Sequence, residues 1–592
     1  MTKASFVILF AAFFLMRSAS AYVYTTDSSG TPLRWPDPVK PIFYANWTNS
    51  DFLSYTQIFN MFTNPLQRWK NTGSSSVDFL YYQSGSNPTS WGFDSKNAVF
   101  FQSQAPANQQ LGSSTIGITY TYSIAGVIVE TDIEFNDVNF NFTTNPSDSS
   151  RFGAGRNVYL ENVATHEFGH ALGLGHSAIL QSSMMFIEDR GQSKPSCDDI
   201  QGLGAAYPST SFSTGRGAIS GSIDNGGGTD IFGAHVVAIS KVRGTVVSGA
   251  ITDPNGDYTI SNLEPGDYYL MVEPFQAVAP ISSLCGGTAA GCYYGTVNAH
   301  TQCTGATLPF KREFIEASAG TAQTVSVASG VTTAMGAESV ACVDMTDPWA
   351  AAADVIGTAP IVLASNAGAD VSTGFRGQMT SGNSQYYLLD NVDGDIKVNV
   401  LSYGIYSPLD AQVTLVNAAG VAIAGVSVTS NVFSNTSSYM NYDASVSLSN
   451  AAVGDYYVKV THAGTLSSQL YPGGTVSRQL DTVPYYFVVV TVNDATSLLP
   501  STASPLLTNN ARCEKADSFS AYPDLGPGAN SVSAAAGGVN TSVKTKVMGC
   551  GTIANSNGGD RSSSAEAIFS IWGFAFALVF ARSLQRALAK SK

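Results

Sequence analysis

The chain has 592 residues, a formal net charge of −14 and 12% charged side chains. That length excludes a single hydrophobic core, and an acidic chain without a long basic run is a poor partner for nucleic acid or an anionic membrane surface. About 150 residues per domain gives three or four domains, and the wealth of Gly, Ser, Thr, Asn and Val points to extracellular β-structure.

From the N-terminus, Lys3 precedes an apolar run over 4–16, and Ala19-Ser20-Ala21 has the small-residue form of a signal-peptidase site. Residues 1–21 therefore read as a signal peptide, with Tyr22 the mature terminus. Asn49 and Ser50 then precede an apolar-periodic stretch over 52–69, in which Leu53, Ile58, Phe59, Phe62 and Leu66 form one stripe of a long helix. Alternating runs rich in β-branched and aromatic residues follow at 77–83, 98–102, 116–122 and 127–135, and predict a mixed sheet. A helix is predicted over 158–172. Ser196 and Asp199 form an S-x-x-D capping pattern ahead of a last helix that ends near Tyr207.

The predicted helix at 158–172 carries the most specific signal. From His166 the chain reads H-E-F-G-H-A-L-G-L-G-H, which holds three of the six histidines. His166 and His170 stand four apart, so on a helix they share one face and offer both imidazoles to one ion. Glu167 projects beside them, toward a water on that ion. Gly173 can end the helix in a left-handed turn that brings His176 back as a third ligand. Three imidazoles with one position left open is the pattern of catalytic rather than structural zinc.

That motif, followed by Ser177 and then Met184, resembles the metzincin metalloproteases and, among them, the matrixin-like branch. The approach N-V-Y-L-E-N-V-A-T and the segment G-V-I-V-E-T-D-I-E-F-N at 126–136 resemble the same branch, and Phe186 stands where astacin-like members carry tyrosine. The resemblance covers roughly the first third of the chain. It implies an α+β zincin-type catalytic domain over 22–210, with a mixed twisted sheet, three helices and a cleft above the metal helix. It also implies Zn²⁺ on His166, His170 and His176, Glu167 as general base, Met184 rather than Met185 as the methionine turn, and an extended peptide or protein substrate lying as a strand beside 116–122. Two departures stand out. No cysteine lies between Tyr22 and His166 to form that family's thiol latch, and the stretch 22–35 is too short for a folded pro-domain. The catalytic region has no histidine outside the motif, so a second, histidine-built zinc site is excluded. For a structural Ca²⁺ the candidate ligands are Asp132, Glu134, Asp137 and Asp189, with solvated loop charges as the competing reading.

Beyond a Ser/Thr/Gly linker at 211–217, the segments G-A-I-S-G-S-I, G-A-H-V-V-A-I and D-P-N-G-D-Y-T-I-S-N-L-E-P-G-D-Y-Y-L-M-V resemble a carboxypeptidase regulatory-like β-sandwich, placed at 216–345 with a cysteine-bearing extension. Q-Y-Y-L-L-D, D-I-K-V-N-V-L-S-Y and V-G-D-Y-Y-V-K-V resemble a peptidase-associated β-sandwich, placed at 357–493. Residues 494–564 read as a flexible stalk. In the C-terminal segment 565–592, the apolar run 567–581 would rise about 22 Å as a helix against roughly 30 Å of hydrocarbon, so it is either a short membrane anchor or a removable sorting signal. The protein is expected to be secreted and held at the cell surface. Of seven cysteines, Cys285, Cys292, Cys303 and Cys342 could form two disulfides; Cys197, Cys513 and Cys550 are left to be free, anchored or cross-linked. Asn46, Asn141, Asn435 and Asn540 begin N-x-S/T triplets. The predicted function is a zinc endopeptidase. The competing readings are a surface adhesin or carbohydrate binder with a vestigial metal domain, and an amidase or deacetylase at the same zinc.

Overall fold

The structure, a computed structural model, describes residues 19–20, 22–27, 31–109, 111–113, 115–146, 157–186, 188, 192–274, 310, 312–342, 355–379, 384–405, 407, 409–429, 432–433, 440–441, 443–465, 485–499, 513 and 544–550. In the first third, five strands and three helices build one layered unit: β1 (Ile42–Ala45), α1 (Tyr55–Lys70), β2 (Leu80–Gln83), β3 (Asn97–Phe101), β4 (Gly117–Ile124), β5 (Val127–Phe135), α2 (Leu160–Ala171) and α3 (Cys197–Ala206). The sheet order is β4-β5-β3-β1-β2, and a strand from far down the chain, Lys544–Cys550, continues it beyond β4. Neighbours are parallel except at β4, which runs antiparallel to β5 and to Lys544–Cys550.

One face of this sheet is closed by α1 and α2. The stripe Ile58, Phe62, Leu66 and Trp69 is fully buried, and Phe62 stacks on Phe135 at 5.1 Å while Phe43 meets Phe168 of α2 edge-on at 5.0 Å. Each such ring contributes on the order of 1.5–3 kcal/mol by leaving water. The Trp69 indole also donates to the Thr165 carbonyl at 2.9 Å, which fixes α2 along α1.

Two sequence expectations shift here. Helix α1 begins at Tyr55 rather than at residue 52, because Ser54 and Gln57 form a complete capping box. Phe52 instead sits almost fully exposed with φ 59°, and the Asn49 side chain accepts from the Leu53 amide in the turn before the helix. The second is β1, which the periodicity did not announce and which lies between β2 and β3 in the sheet.

Among the described residues the downstream chain is almost wholly β, apart from a short helix at Thr210–Thr214 that overlaps the expected linker. Strands Thr245–Ile251, Ala234–Ser240 and Gly266–Pro274 form one sheet; Asp257–Leu263, Gly217–Asp224 and Thr332–Ser339 form a second. They enclose a core of Ile219, Val236, Tyr258, Ile260 and Leu270. A nine-stranded sheet follows, dominated by Ser384–Leu401, Ala444–Thr465 and Tyr485–Val492. The two β-units share an apolar seam: Val237, Ile239, Tyr269, Met271 and Phe314 pack with Phe487 and Val489, and Phe314 stacks on Phe487 at 4.6 Å.

Parts of the expected stalk are built into the fold. Leu499 is buried, the Leu498 amide donates to the Val242 carbonyl, Cys513 is disulfide-bonded to Cys197, and Lys544–Cys550 is a strand. Backbone pairing with the sheets outweighs a polar, Ser/Ala-rich composition at these places. At the other end, Ala19–Ser20 pairs antiparallel with Thr245–Ile251. The segment 565–592 lies outside the described residues, and among those described no helix is long and apolar enough to cross a membrane.

Candidate metal centre

Helix α2 carries His166 and His170 one turn apart on the face turned toward the loop 173–185. Its first turn holds Glu161, which forms a buried ion pair with Arg68 of α1. Its C-terminal carbonyls are satisfied by side chains: Trp35 Nε1 donates to Ala171 O at 2.7 Å and Tyr207 Oη to Leu172 O at 2.7 Å. Gly173 then takes φ +89°, and a Cβ there would lie 2.5 Å from the Leu33 carbonyl oxygen, so only glycine fits the turn. This turn sends the chain back to His176.

The three imidazoles converge, with one ligand atom from each lying within 4.8 Å of the others. Two second contacts fix the rings: His166 Nδ1 pairs with the Ser183 carbonyl at 2.7 Å and His170 Nδ1 with the Leu174 carbonyl at 2.8 Å. With Nδ1 protonated toward a carbonyl, Nε2 presents a lone pair inward. His166 Nε2 is buried without a hydrogen-bond partner, and His170 Nε2 lies 3.2 Å from His176 Nε2. Two nitrogens bound tetrahedrally to zinc stand about 3.3 Å apart, so the donor set fits that ion. Burial, reinforced by the neighbouring imidazoles, holds His166 and His170 well below the usual histidine range, which keeps both in the neutral, ligating form.

Met184 is buried against α2. A Cβ at Gly169 would fall 2.2 Å from its Sδ, so glycine makes room for the thioether. Met185 is also buried but stands outside that core cluster. The turn at Ser183 and Met184 is held by α3: Asp199 accepts from the Ser183 amide at 2.7 Å and the Met184 amide at 3.2 Å, and Asp198 accepts from Ser177 Oγ at 2.6 Å. The capping box of Ser196 with Asp199 matches the sequence expectation. Burial pushes the Asp198 carboxyl up to about 8. On the N-terminal side, the Thr25 amide donates to Gly173 O and the Gly175 amide to Val23 O, so the first residues after Tyr22 brace the ligand loop.

Glu167 is fully buried under β4. Thr119 Oγ1 donates to its Oε2 at 2.8 Å, and a Cβ at Gly117 would stand 2.9 Å from its Oε1. The sequence reading takes 116–122 as a strand with substrate beside it and singles out neither Gly117 nor Thr119; its alternation, which turns both to the same face, is the signal that could have done so. Phe186 lies with its ring 6.3 Å from His176.

The proposed calcium ligands do not converge. Asp132 accepts from the Gly92 and Ala98 amides, Asp137 from the Ser50 and Ser103 amides, and Glu134 from Tyr120 Oη. Nor are they solvated loop charges, since all three are buried. Burial raises the carboxyls of Asp132 and Glu134 to about 8, so they act as polar pegs between strands and turns. Asp189 lies outside the described residues. Among the described residues, the histidine triad is the group of possible ligands that meets in one place. One glycan triplet differs too: Asn46 is buried and donates to the Gly85 and Asn87 carbonyls, so the folded chain withholds it, whereas Asn141 is exposed.

Comparison with known families places this geometry. Residues 42–208, from β1 through α3, match the matrixin family model, and residues 218–278 match the carboxypeptidase regulatory-like domain. No curated protein matches the chain. The first match supports a metalloprotease domain of the matrixin kind, and the two resemblances, one drawn from the histidine motif and one from the β-segments after residue 216, are both met.

Proposed function

We propose that this protein is a secreted zinc endopeptidase in which His166, His170 and His176 hold the metal and Glu167 is the general base. The observation that carries the reading is the convergence of three buried imidazoles with Glu167 one residue beyond the first of them. Zinc held there would supply a Lewis acid that acidifies a water and polarises a carbonyl. The remaining work falls to the chain. Thr119 anchors Oε2 of Glu167, and the absence of a side chain at Gly117 leaves room for Oε1. The carboxylate takes a proton from the attacking water and returns it to the leaving amine. An extended substrate aligns antiparallel on β4, whose backbone groups hold it over α2.

An intact Glu167 held by Thr119 weighs against a vestigial metal domain. The Cys197–Cys513 disulfide supports an oxidising, extracytoplasmic setting. Retention at the cell surface through 565–592 belongs to the same reading and is tested by fractionation. Glu167→Ala should keep stoichiometric zinc by elemental analysis and lose cleavage of a denatured protein. Wild type and variant that are equally inert in every form would favour the binder reading.

A further inference from the structure

We infer that residues 544–550 are a built-in inhibitor: this strand fills the edge of β4 where a substrate would lie and has to leave before protein is cut. The inference rests on the peptidase reading above. Without this strand, β4 is the open edge of the catalytic sheet. Residues 544–550 pair with it antiparallel along their whole length, from Lys544 opposite Ser123 to Cys550 opposite Gly117. The Cys550 end thus meets the glycine that adjoins Glu167. Cα atoms of the strand also come within 8 Å of α2, the helix that carries His166, Glu167 and His170. An occupant that takes up the backbone edge of β4 beside that helix denies it to any other extended peptide.

A second observation explains why the strand would stay. The Cys197–Cys513 disulfide ties the C-terminal stretch to the first residue of α3, within the same catalytic unit. From Cys513 the chain needs roughly 30 residues to reach Lys544, which can extend to about 100 Å, far more than the width of one domain. A tether of that kind presents the strand at an effective concentration on the order of millimolar. If the free strand binds β4 with a Ki of about 10–100 μM, that effective concentration lowers kcat/KM by a factor of about 1 + Ceff/Ki, on the order of 10- to 100-fold. Displacing it should therefore raise kcat/KM by about 10- to 100-fold.

The test uses the full chain carrying Val547→Pro together with Met548→Pro. Alternate residues of an antiparallel strand donate to a given neighbour, so adjacent prolines remove one ladder donor whichever parity faces β4. Two quantities are read against wild type: kcat/KM on a quenched fluorescent peptide, and hydrogen exchange of the amides at 117–124. Faster exchange with a 10- to 100-fold rise in kcat/KM supports the inference. A synthetic peptide of residues 544–550 carrying Cys550→Ser, so that no thiol can chelate zinc, should then inhibit the variant in trans. Unchanged exchange, or unchanged kcat/KM with both proteins active, overturns the inhibitor and leaves the peptidase standing. Two inert proteins with faster exchange in the variant overturn it through the peptidase reading instead. Wild type that cuts itself within this strand on zinc addition overturns it as well, since the segment would be a substrate.

Discussion

Thr119→Val removes one hydroxyl and keeps the volume of the side chain. The hydroxyl donates to Glu167 Oε2 at 2.8 Å in a fully buried setting, and a hydrogen bond to a charged partner is worth about 1.5–3 kcal/mol. If that energy is spent on orienting the carboxylate for proton transfer, its loss lowers kcat/KM by about 10- to 150-fold. The assay is peptide hydrolysis in the Val547→Pro/Met548→Pro background, so that the cleft is open, with zinc content measured on the same samples. Thr119→Ser should recover most of the rate, since it restores the donor. A Thr119→Val enzyme within twofold of its parent would refute the assigned role. So would a loss of zinc in step with the loss of rate, because Thr119 would then be supporting the fold of the site rather than the base.

Removing the metal with a chelator should abolish cleavage and lower the melting temperature, because binding to the folded state alone adds to its stability; an unchanged melting temperature counts against a metal held by the triad. Gly169→Ala should destabilise the protein by about 1–3 kcal/mol in urea, as its Cβ meets Met184 and Trp69, and Met184→Ala should recover part of that in a double-mutant cycle. The pH dependence has a defined sign. The buried carboxyls of Asp132, Glu134 and Asp198 are raised to about 8 and that of Glu130 to about 7, so the fold binds more protons than the unfolded chain and stability falls as pH rises through that range. His166 and His170 are depressed, which opposes this trend only below about 6.5. Metal-free protein should therefore melt several degrees lower at pH 8 than at pH 6.5 by calorimetry, and a rise would contradict the assignment. Cys513→Ser should cost about 2–4 kcal/mol of stability and speed hydrogen exchange in β4 by untying the inhibitory strand; unchanged exchange would mean that the tether does not hold it.

Local spacing made the metal centre legible. An i, i+4 histidine pair, a glycine turn and a third histidine need nothing from the rest of the chain to be recognised, and the capping box at Ser196 is equally self-contained. The strands around β4 and β5 followed from alternation. What stayed hidden depends on residues far apart. Thr119 and Gly117 gain their meaning only when β4 lies over α2, some 48 residues on in the case of the Thr119–Glu167 bond. The Cys197–Cys513 link spans 316 residues, and with seven cysteines no spacing rule selects it. Residues 544–550 carry no alternating apolar pattern in the sequence, and their strand shows only as a backbone ladder with β4. Short β1 lacks a pattern of its own, and Asn46 reads as an ordinary glycan acceptor until its buried amide is found bonding the Gly85 and Asn87 carbonyls.

The seam between the two β-units has a mechanical consequence. Tyr269, Phe314 and Phe487 interlock across it, and Gly374 is bare where a side chain would strike both Tyr269 and Phe487. The pair should behave as a single stiff rod that melts in one calorimetric peak and resists being parted by limited digestion. A pull on its distal end would be delivered to the protease as displacement of the whole body, with the aromatic seam carrying the load from one unit to the other.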